Sequence, residues 1–163
     1  MRSRITMIKE TAYLETSVVS YLNSFPSRDL IVAAHQQITH DWWRLHAPNF
    51  TIVVSTHVLL ESARGDPKMA AARTSFLAGI PVLEETLEML ELAEEYQSIL
   101  RLPKSKMADA HHLAAASWHG IDYLVTWNCK HIASAQVRRA LYKINVAAGL
   151  KVPILCTPEE LEK

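Results

Sequence analysis

Apolar and polar positions along the chain sort into short strand-like runs and longer helical patterns. Thr11-Ala12-Tyr13-Leu14 is an apolar run that stops at Glu15-Thr16-Ser17. The pattern then turns helical through Leu22, with Ser17 as the expected cap and the end at Asn23, before the turn Phe25-Pro26-Ser27. Ser27 stands where it can cap a second helix. On that helix Leu30, Ala34, Ile38, Trp42 and Leu45 recur at three- and four-residue spacing, which predicts one apolar stripe ending before Pro48. His35, His40 and His46 fall mostly off the stripe and are expected on the solvent side. Residues 50–54, Phe-Thr-Ile-Val-Val, are aromatic and β-branched and predict a second strand, closed by the hydroxyls of Ser55 and Thr56.

A helix carrying Glu61 follows, and Asp66-Pro67 supplies the cap and first position of another that runs to Gly79. Residues 80–83, Ile-Pro-Val-Leu, predict a short third strand at a sheet edge, because proline has no N–H for a ladder. From Thr86 the spacing of Met89, Leu92, Ala93, Tyr96, Ile99 and Leu100 is helical again, until Pro103. Residues 105–119 are apolar nearly all round, which marks a buried helix. Residues 123–126 read as the fourth strand with Trp127-Asn128 at its tip, and a helix carrying Val137, Ala140, Leu141 and Ile144 leads to Gly149. Residues 152–156 read as the fifth strand, and Thr157-Pro158-Glu159-Glu160 as a capped helical start. Strands alternating with helices predict a three-layer α/β fold, with helices on both faces of a mostly parallel sheet of about five strands.

Composition narrows the function classes. The 163 residues are expected to form one domain, with residues 1–8 a frayed lead-in and Met7 a second possible start. Basic and acidic residues number 17 each, so any nucleic-acid contact must come from a local basic patch rather than an overall field. No apolar run approaches the roughly 18 residues that span a bilayer, and no signal-peptide core follows the polar start, so no membrane association and a cytoplasmic location are expected. Cys129 and Cys156 lack a Cys-x-x-Cys spacing and are expected as reduced, partly buried thiols.

Four polar residues lie at the ends of core elements: Glu15 after the first strand, Glu61 after the second, Asp109 in the buried helix and Asn128 after the fourth strand. Each has a plain structural reading: a turn acid, a partner for Arg64, a complement to a helix N-terminus, a turn amide. Asp109 is the most informative alone. A carboxylate in an apolar helix must be paired, protonated or coordinated, since an unpaired buried charge costs several kcal/mol. Taken together, carboxylate and amide oxygens at strand tips suit a hard cation such as Mg²⁺ or Mn²⁺. His57 and Glu61 share a helix face but lack a His-Glu-x-x-His pattern, which argues against zinc-protease chemistry. His112 is expected to be packed or hydrogen-bonded rather than a base. Trp42 belongs to the apolar stripe and Trp43 to an exposed contact at most. Glycine-rich phosphate loops are absent, which argues against a nucleotide cofactor.

Residues 13–22 (Tyr-Leu-Glu-Thr-Ser-Val-Val-Ser-Tyr-Leu), 55–61 (Ser-Thr-His-Val-Leu-Leu-Glu), 109–114 (Asp-Ala-His-His-Leu-Ala) and 122–128 (Asp-Tyr-Leu-Val-Thr-Trp-Asn) resemble, in order, the four sequence blocks of the PIN-domain ribonucleases. The branch they resemble is the VapC type, the toxin half of toxin–antitoxin pairs. The resemblance implies metal-dependent cleavage of single-stranded or looped RNA, a small antitoxin partner and often a homodimer. By position it makes Glu15, Glu61 and Asp109 the acids that hold Mg²⁺ or Mn²⁺, with Asn128 as a further ligand and Thr126 in the fourth block. Thr16 or Ser17 would orient a water or cap a helix. Lys104, Lys106 and Lys130 would contact phosphate or lie in solvated loops. Glu15 stands where Asp is usual, one methylene longer, and Asn128 keeps an oxygen but drops a charge. A PIN-like module that binds RNA or protein without cutting is the competing class.

Overall fold

The computed structural model describes residues 8–162, so the expected lead-in lies outside the described residues except for Ile8, which is exposed. The elements are β1 (Thr11–Leu14), α1 (Thr16–Asn23), α2 (Leu30–Leu45), β2 (Thr51–Ser55), α3 (Thr56–Ser62), α4 (Pro67–Leu77), β3 (Val82–Leu83), α5 (Leu87–Ile99), α6 (Met107–Trp118), β4 (Tyr123–Val125), α7 (Ala135–Ala148) and β5 (Ile154–Cys156). Short 3₁₀ turns cover Ala47–Asn49, Lys104–Lys106 and Pro158–Glu160. The strands form one all-parallel sheet in the order β3-β2-β1-β4-β5, in register Tyr13 with Val53 and Leu124, and Val125 with Cys156. This is the expected three-layer α/β architecture.

The strand order decides where chemistry can sit. From β1 the chain steps outward to β2 and β3, then returns across the sheet to β4 and β5. Because parallel crossovers are right-handed, the two directions put their helices on opposite faces and leave a crevice beyond the carboxyl tips of β1 and β4. Glu15 follows β1 and Thr126 follows β4, and the Glu15 amide donates to the Val125 carbonyl at 3.0 Å, so both tips open into that crevice.

Most boundaries follow local chemistry. Asp66, Thr86 and Ser134 accept from the backbone at the starts of α4, α5 and α7, and Gly149 ends α7 at φ 69°, a left-handed conformation that glycine adopts without a Cβ penalty. Val82–Leu83 is a sheet edge, as its proline predicts. α6 is buried along residues 109, 110 and 112–117, with only Trp118 fully emerging.

Several expectations are corrected. Glu15, not Ser17, is the cap of α1, its carboxylate accepting the Ser17 amide. Asp29, not Ser27, caps α2 by accepting the Ile31 and Val32 amides. The face that α2 buries is Gln36, Thr39 and Trp42, while Leu30, Ala34 and Leu45 are exposed. Gln36 is buried because its amide is used completely: it accepts from the Ser27 amide and donates to Ser24 Oγ and the Phe25 carbonyl. A satisfied polar group loses most of the penalty for burial, so hydropathy spacing alone misplaced the stripe. His35 is likewise not a free solvent residue, since it stacks on Trp127 at 4.0 Å between centroids, and Trp43 packs on Phe76. Of the two thiols, Cys156 is buried and Cys129 exposed, both unbridged.

On the far side of α6 a second polar group is fully buried. Asn145 in α7 accepts from the Tyr96 hydroxyl at 2.5 Å and donates to Ser117 Oγ at 2.9 Å and the Lys151 carbonyl at 2.8 Å, tying α5, α6 and the approach to β5 together. Asn145→Leu is expected to destabilise by about 1–3 kcal/mol, the cost of leaving buried partners unsatisfied. Urea denaturation of the two proteins measures it.

Candidate functional site

Glu15 is a buried carboxylate held through one oxygen. Its Oε2 accepts from the Ser17 amide at 3.1 Å, from Thr126 Oγ1 at 2.7 Å and from the Ser17 hydroxyl. Ser17 Oγ in turn accepts from the Trp127 amide at 2.9 Å, and Thr126 Oγ1 accepts from the Asn128 amide at 2.9 Å. The tips of β1 and β4 are therefore stitched together around a single carboxylate oxygen. The other oxygen, Oε1, lies 3.8 Å from His112 Nε2.

Glu61 repeats the arrangement from α3. Its Oε2 accepts from the Thr16 hydroxyl and from His112 Nε2 at 2.9 Å, while Oε1 lies 3.9 Å from His57 Nε2. Among the described residues its ion pairs are with His57 and His112, not with Arg64, the expected structural partner. Asp109, in the first turn of α6, accepts from Asn128 Nδ2 at 3.0 Å through Oδ1, and its buried Oδ2 has no hydrogen-bond partner among the described residues. Each of the three predicted acids thus commits one oxygen to the protein and leaves the other without a hydrogen bond among the described residues.

His112 stands among them and is fully buried. Its Nε2 donates to Glu61, and its Nδ1 is 2.6 Å from the Tyr13 hydroxyl, which is 2.8 Å from Ser55 Oγ. Burial alone would lower the imidazole, but the Glu61 hydrogen bond and the charges of Glu15, Glu61 and Asp109 hold it above its ordinary value. As an imidazolium it donates from both nitrogens, and Tyr13 passes the second bond on to Ser55. Burial keeps the Tyr13 phenol protonated. Glu61, against the desolvation that would raise it, is drawn down to about 2 by its bonds to His112 and Thr16. Desolvation, with Glu15 close by, raises Asp109. Burial beside His112 drops His57 to about 4.

Other residues complete the surroundings. Among the described residues, the three ligand atoms that gather within 4.8 Å of one another belong to His57, Glu61 and His112, not to the three predicted carboxylates. Asn128 corrects an expectation: its Oδ1 accepts from the His131 amide at 3.0 Å, so it turns an N–H₂ donor towards Asp109 instead of an oxygen ligand. Thr16, Ser17 and Thr126 are all used to hold carboxylates. Lys104 and Lys130 are exposed and Lys106 is half-buried, its charge felt by Asp109. Sequence reasoning did not assign Tyr13 and Ser55 to the site. Ser55 was visible as a hydroxyl at a strand tip, whereas Tyr13 gave no signal beyond an apolar strand residue.

The Tyr13 hydroxyl offers a direct test of the network. Tyr13→Phe removes the bridge between His112 and Ser55 inside the core and is expected to cost about 1–3 kcal/mol, measured by chemical denaturation. A loss of only a few tenths would mean that the two neighbours find other partners.

Comparison of the chain with protein-family models, curated proteins and solved structures yields no match. The functional reading therefore rests on the four sequence blocks and on the site. No helix among the described residues is long and apolar enough to cross a membrane.

Proposed function

We propose that the chain is a metal-dependent endoribonuclease of the PIN type, acting as the toxin of a VapC-like toxin–antitoxin pair and cleaving RNA with Mg²⁺ or Mn²⁺. The observation that supports this reading is the set of three half-committed carboxylates beside the β1/β4 crevice, above all the buried and unpartnered Asp109 Oδ2. An orphaned buried carboxylate acceptor that feels the charge of Glu15 suits a hard divalent cation. Glu15, Glu61 and Asp109 are the residues that would hold it, each with one carboxylate oxygen free of hydrogen bonds among the described residues. When bound, such an ion lowers the pKa of water and neutralises charge on a phosphodiester.

The chain's own residues supply the rest. The hydroxyls of Ser17 and Thr126 fix Glu15, and that of Thr16 fixes Glu61, so both acids are oriented before any ligand arrives. Asn128 holds Asp109 by one oxygen and leaves the other free. Lys104, Lys106 and Lys130 flank Asp109 and Asn128 in the chain and are free of ion pairs among the described residues, so they are available to RNA phosphates. Exposed Phe25, Leu30 and Ile31, around the start of α2, form an apolar surface suited to the antitoxin or to a second copy in a homodimer.

The test is cleavage of a single-stranded RNA by the purified chain with Mg²⁺, with Mn²⁺ and with chelator. Cutting that needs the ion supports the reading, and a protein that cuts no RNA under any of these conditions overturns it.

One observation favours a second reading, a PIN-like module that binds RNA or protein without cutting. The His112 imidazolium already supplies a cation to Glu15 and Glu61, so these acids are partly compensated without a metal. Calorimetric titration with Mn²⁺ separates the two readings. Heat that disappears in Asp109→Asn supports the nuclease, and no heat in the wild type supports the module.

A further inference from the structure

The side chains of His57 and Glu61 project from one face of α3, one turn apart, and meet His112 arriving from α6. His57 Nε2 is buried, has no hydrogen-bond partner among the described residues and lies 3.9 Å from Glu61 Oε1. Its ring is braced on both sides: it stacks on His111 with centroids 4.8 Å apart and planes within 4°, and it meets the edge of His112 at 5.3 Å. A buried, oriented imidazole nitrogen without a partner is costly unless something binds there.

We propose that His57, Glu61 and His112 form a binding site for a divalent transition ion of the Zn²⁺ or Co²⁺ class, distinct in ligand set from the carboxylate centre. Two imidazole nitrogens and one carboxylate select such ions over Mg²⁺, which prefers oxygen. The geometry is close to what is required. Metal–ligand bonds of ~2.0–2.1 Å at tetrahedral angles set ligand atoms about 3.4 Å apart. Glu61 approaches His112 Nε2 to 2.9 Å through Oε2 and His57 Nε2 to 3.9 Å through Oε1, and one ligand atom from each of the three residues falls within 4.8 Å of the other two. Three protein ligands leave a fourth position open.

Proton bookkeeping is also satisfied. On binding, His112 Nε2 releases its hydrogen to solvent and gives its lone pair to the ion. Nδ1–H stays on the Tyr13 oxygen and the Tyr13 O–H stays on Ser55 Oγ. A histidine whose second nitrogen donates to a fixed acceptor is held in the ring orientation and tautomer that a metal ligand needs. Thr16 continues to hold Glu61. The site shares Glu61 with the proposed nuclease centre but uses neither Glu15 nor Asp109, so it does not rest on that reading.

Co²⁺ is the probe, added to the full chain and followed by visible d–d absorption and by equilibrium dialysis. Expected is one bound equivalent that Zn²⁺ displaces and millimolar Mg²⁺ does not. His57→Gln is expected to weaken Co²⁺ binding by more than about tenfold, the smallest loss that even an outer partner of a ligand typically causes. Asp109→Asn is expected to bind Co²⁺ as the wild type does. His57 is partly exposed, so its replacement is compatible with folding, which circular dichroism checks. The proposal is overturned if the wild type binds no Co²⁺, if His57→Gln binds it equally well, or if Asp109→Asn alone abolishes binding. Co²⁺ binding by a protein that cuts no RNA would remove the nuclease reading and leave this one standing.

Discussion

The Asp109→Asn substitution is expected to lower RNA cleavage by at least about 10²-fold, the upper end of what loss of an outer partner of a metal ligand already costs. The reason is the state of Asp109 in the fold. Its Oδ1 is occupied by Asn128 and its Oδ2 is buried with no hydrogen-bond partner among the described residues, so the side chain is held in place while the oxygen proposed as a ligand stays free. Burial, with Glu15 near, raises this carboxyl, which means that ionised Asp109 costs the folded protein stability above the ordinary carboxylate value. Activity and stability should therefore respond differently. Cleavage falls in Asp109→Asn, while the thermal midpoint near neutral pH without metal is unchanged or slightly higher, as expected where a functional group is kept at a cost to the fold. Equal cleavage by both proteins would sink the assignment. A parallel loss of cleavage and stability would instead make Asp109 a structural residue of α6.

The second large effect is on stability. His112→Leu keeps roughly the same volume but leaves Glu61 Oε2 with Thr16 alone, Glu15 Oε1 without a nearby cation and the Tyr13 hydroxyl with only Ser55. Breaking a buried ion pair from one side costs ~3–5 kcal/mol, and the partial exposure of Glu61 argues for the lower figure, about 3 kcal/mol. The effect should depend on pH. His112 is raised in the folded state, so its contribution is fully present below its ordinary value of 6.5 and is lost as pH rises through the folded-state value. Glu61 is lowered to about 2, so its part is present above 4.5 and lost as pH falls from there towards about 2. The gap between wild type and His112→Leu should thus be widest between these limits and shrink on the alkaline side. His57, Tyr13 and Asp109 face the same imidazole and are present in both proteins, so they enter the difference only through their coupling to it. Denaturation curves at about pH 5.5 and about pH 9 measure the change. A gap that widens at the higher pH would show that His112 is neutral in the fold.

Glu15 illustrates how much a sequence departure can mean. From the sequence, a longer acid where Asp is usual raises the expectation that Glu15→Asp would increase activity if the extra methylene impairs the site. In the structure Glu15 Oε2 accepts from Thr126 Oγ1 across the β1/β4 junction while the same oxygen caps α1. The length is matched to its partners, so Glu15→Asp is expected to withdraw from Thr126 and lower activity.

Much of this was legible along the chain. Strand tips ending in hydroxyls and acids, the proline-marked edge strand, the apolar α6 with one acid in its first turn, and the glycine stop of α7 are all local, because period, caps and turn residues act over a few positions. α2 escaped that reading. Its buried face contains Gln36 and Thr39, whose partners are backbone and side-chain groups of the preceding turn and the indole of Trp127. Hydropathy spacing has no means of registering a polar group that arrives already satisfied. Asn128 was legible as a residue at a strand tip, but the His131 amide fixes which end of its side chain faces Asp109.

The sequence by itself determined the order of strands and helices, the buried position of Asp109 and the appearance of Glu15 at a strand end, since each depends on residues within a turn or two. Only the tertiary structure decided that His112 sits among the acids and that His57, rather than Glu15 or Asp109, completes the closest group of ligand atoms. Those contacts join residues 51 to 99 positions apart on β1, α3 and α6. Such distances are set by the right-handed crossovers and by the order in which the sheet places its strands, and no local pattern carries them.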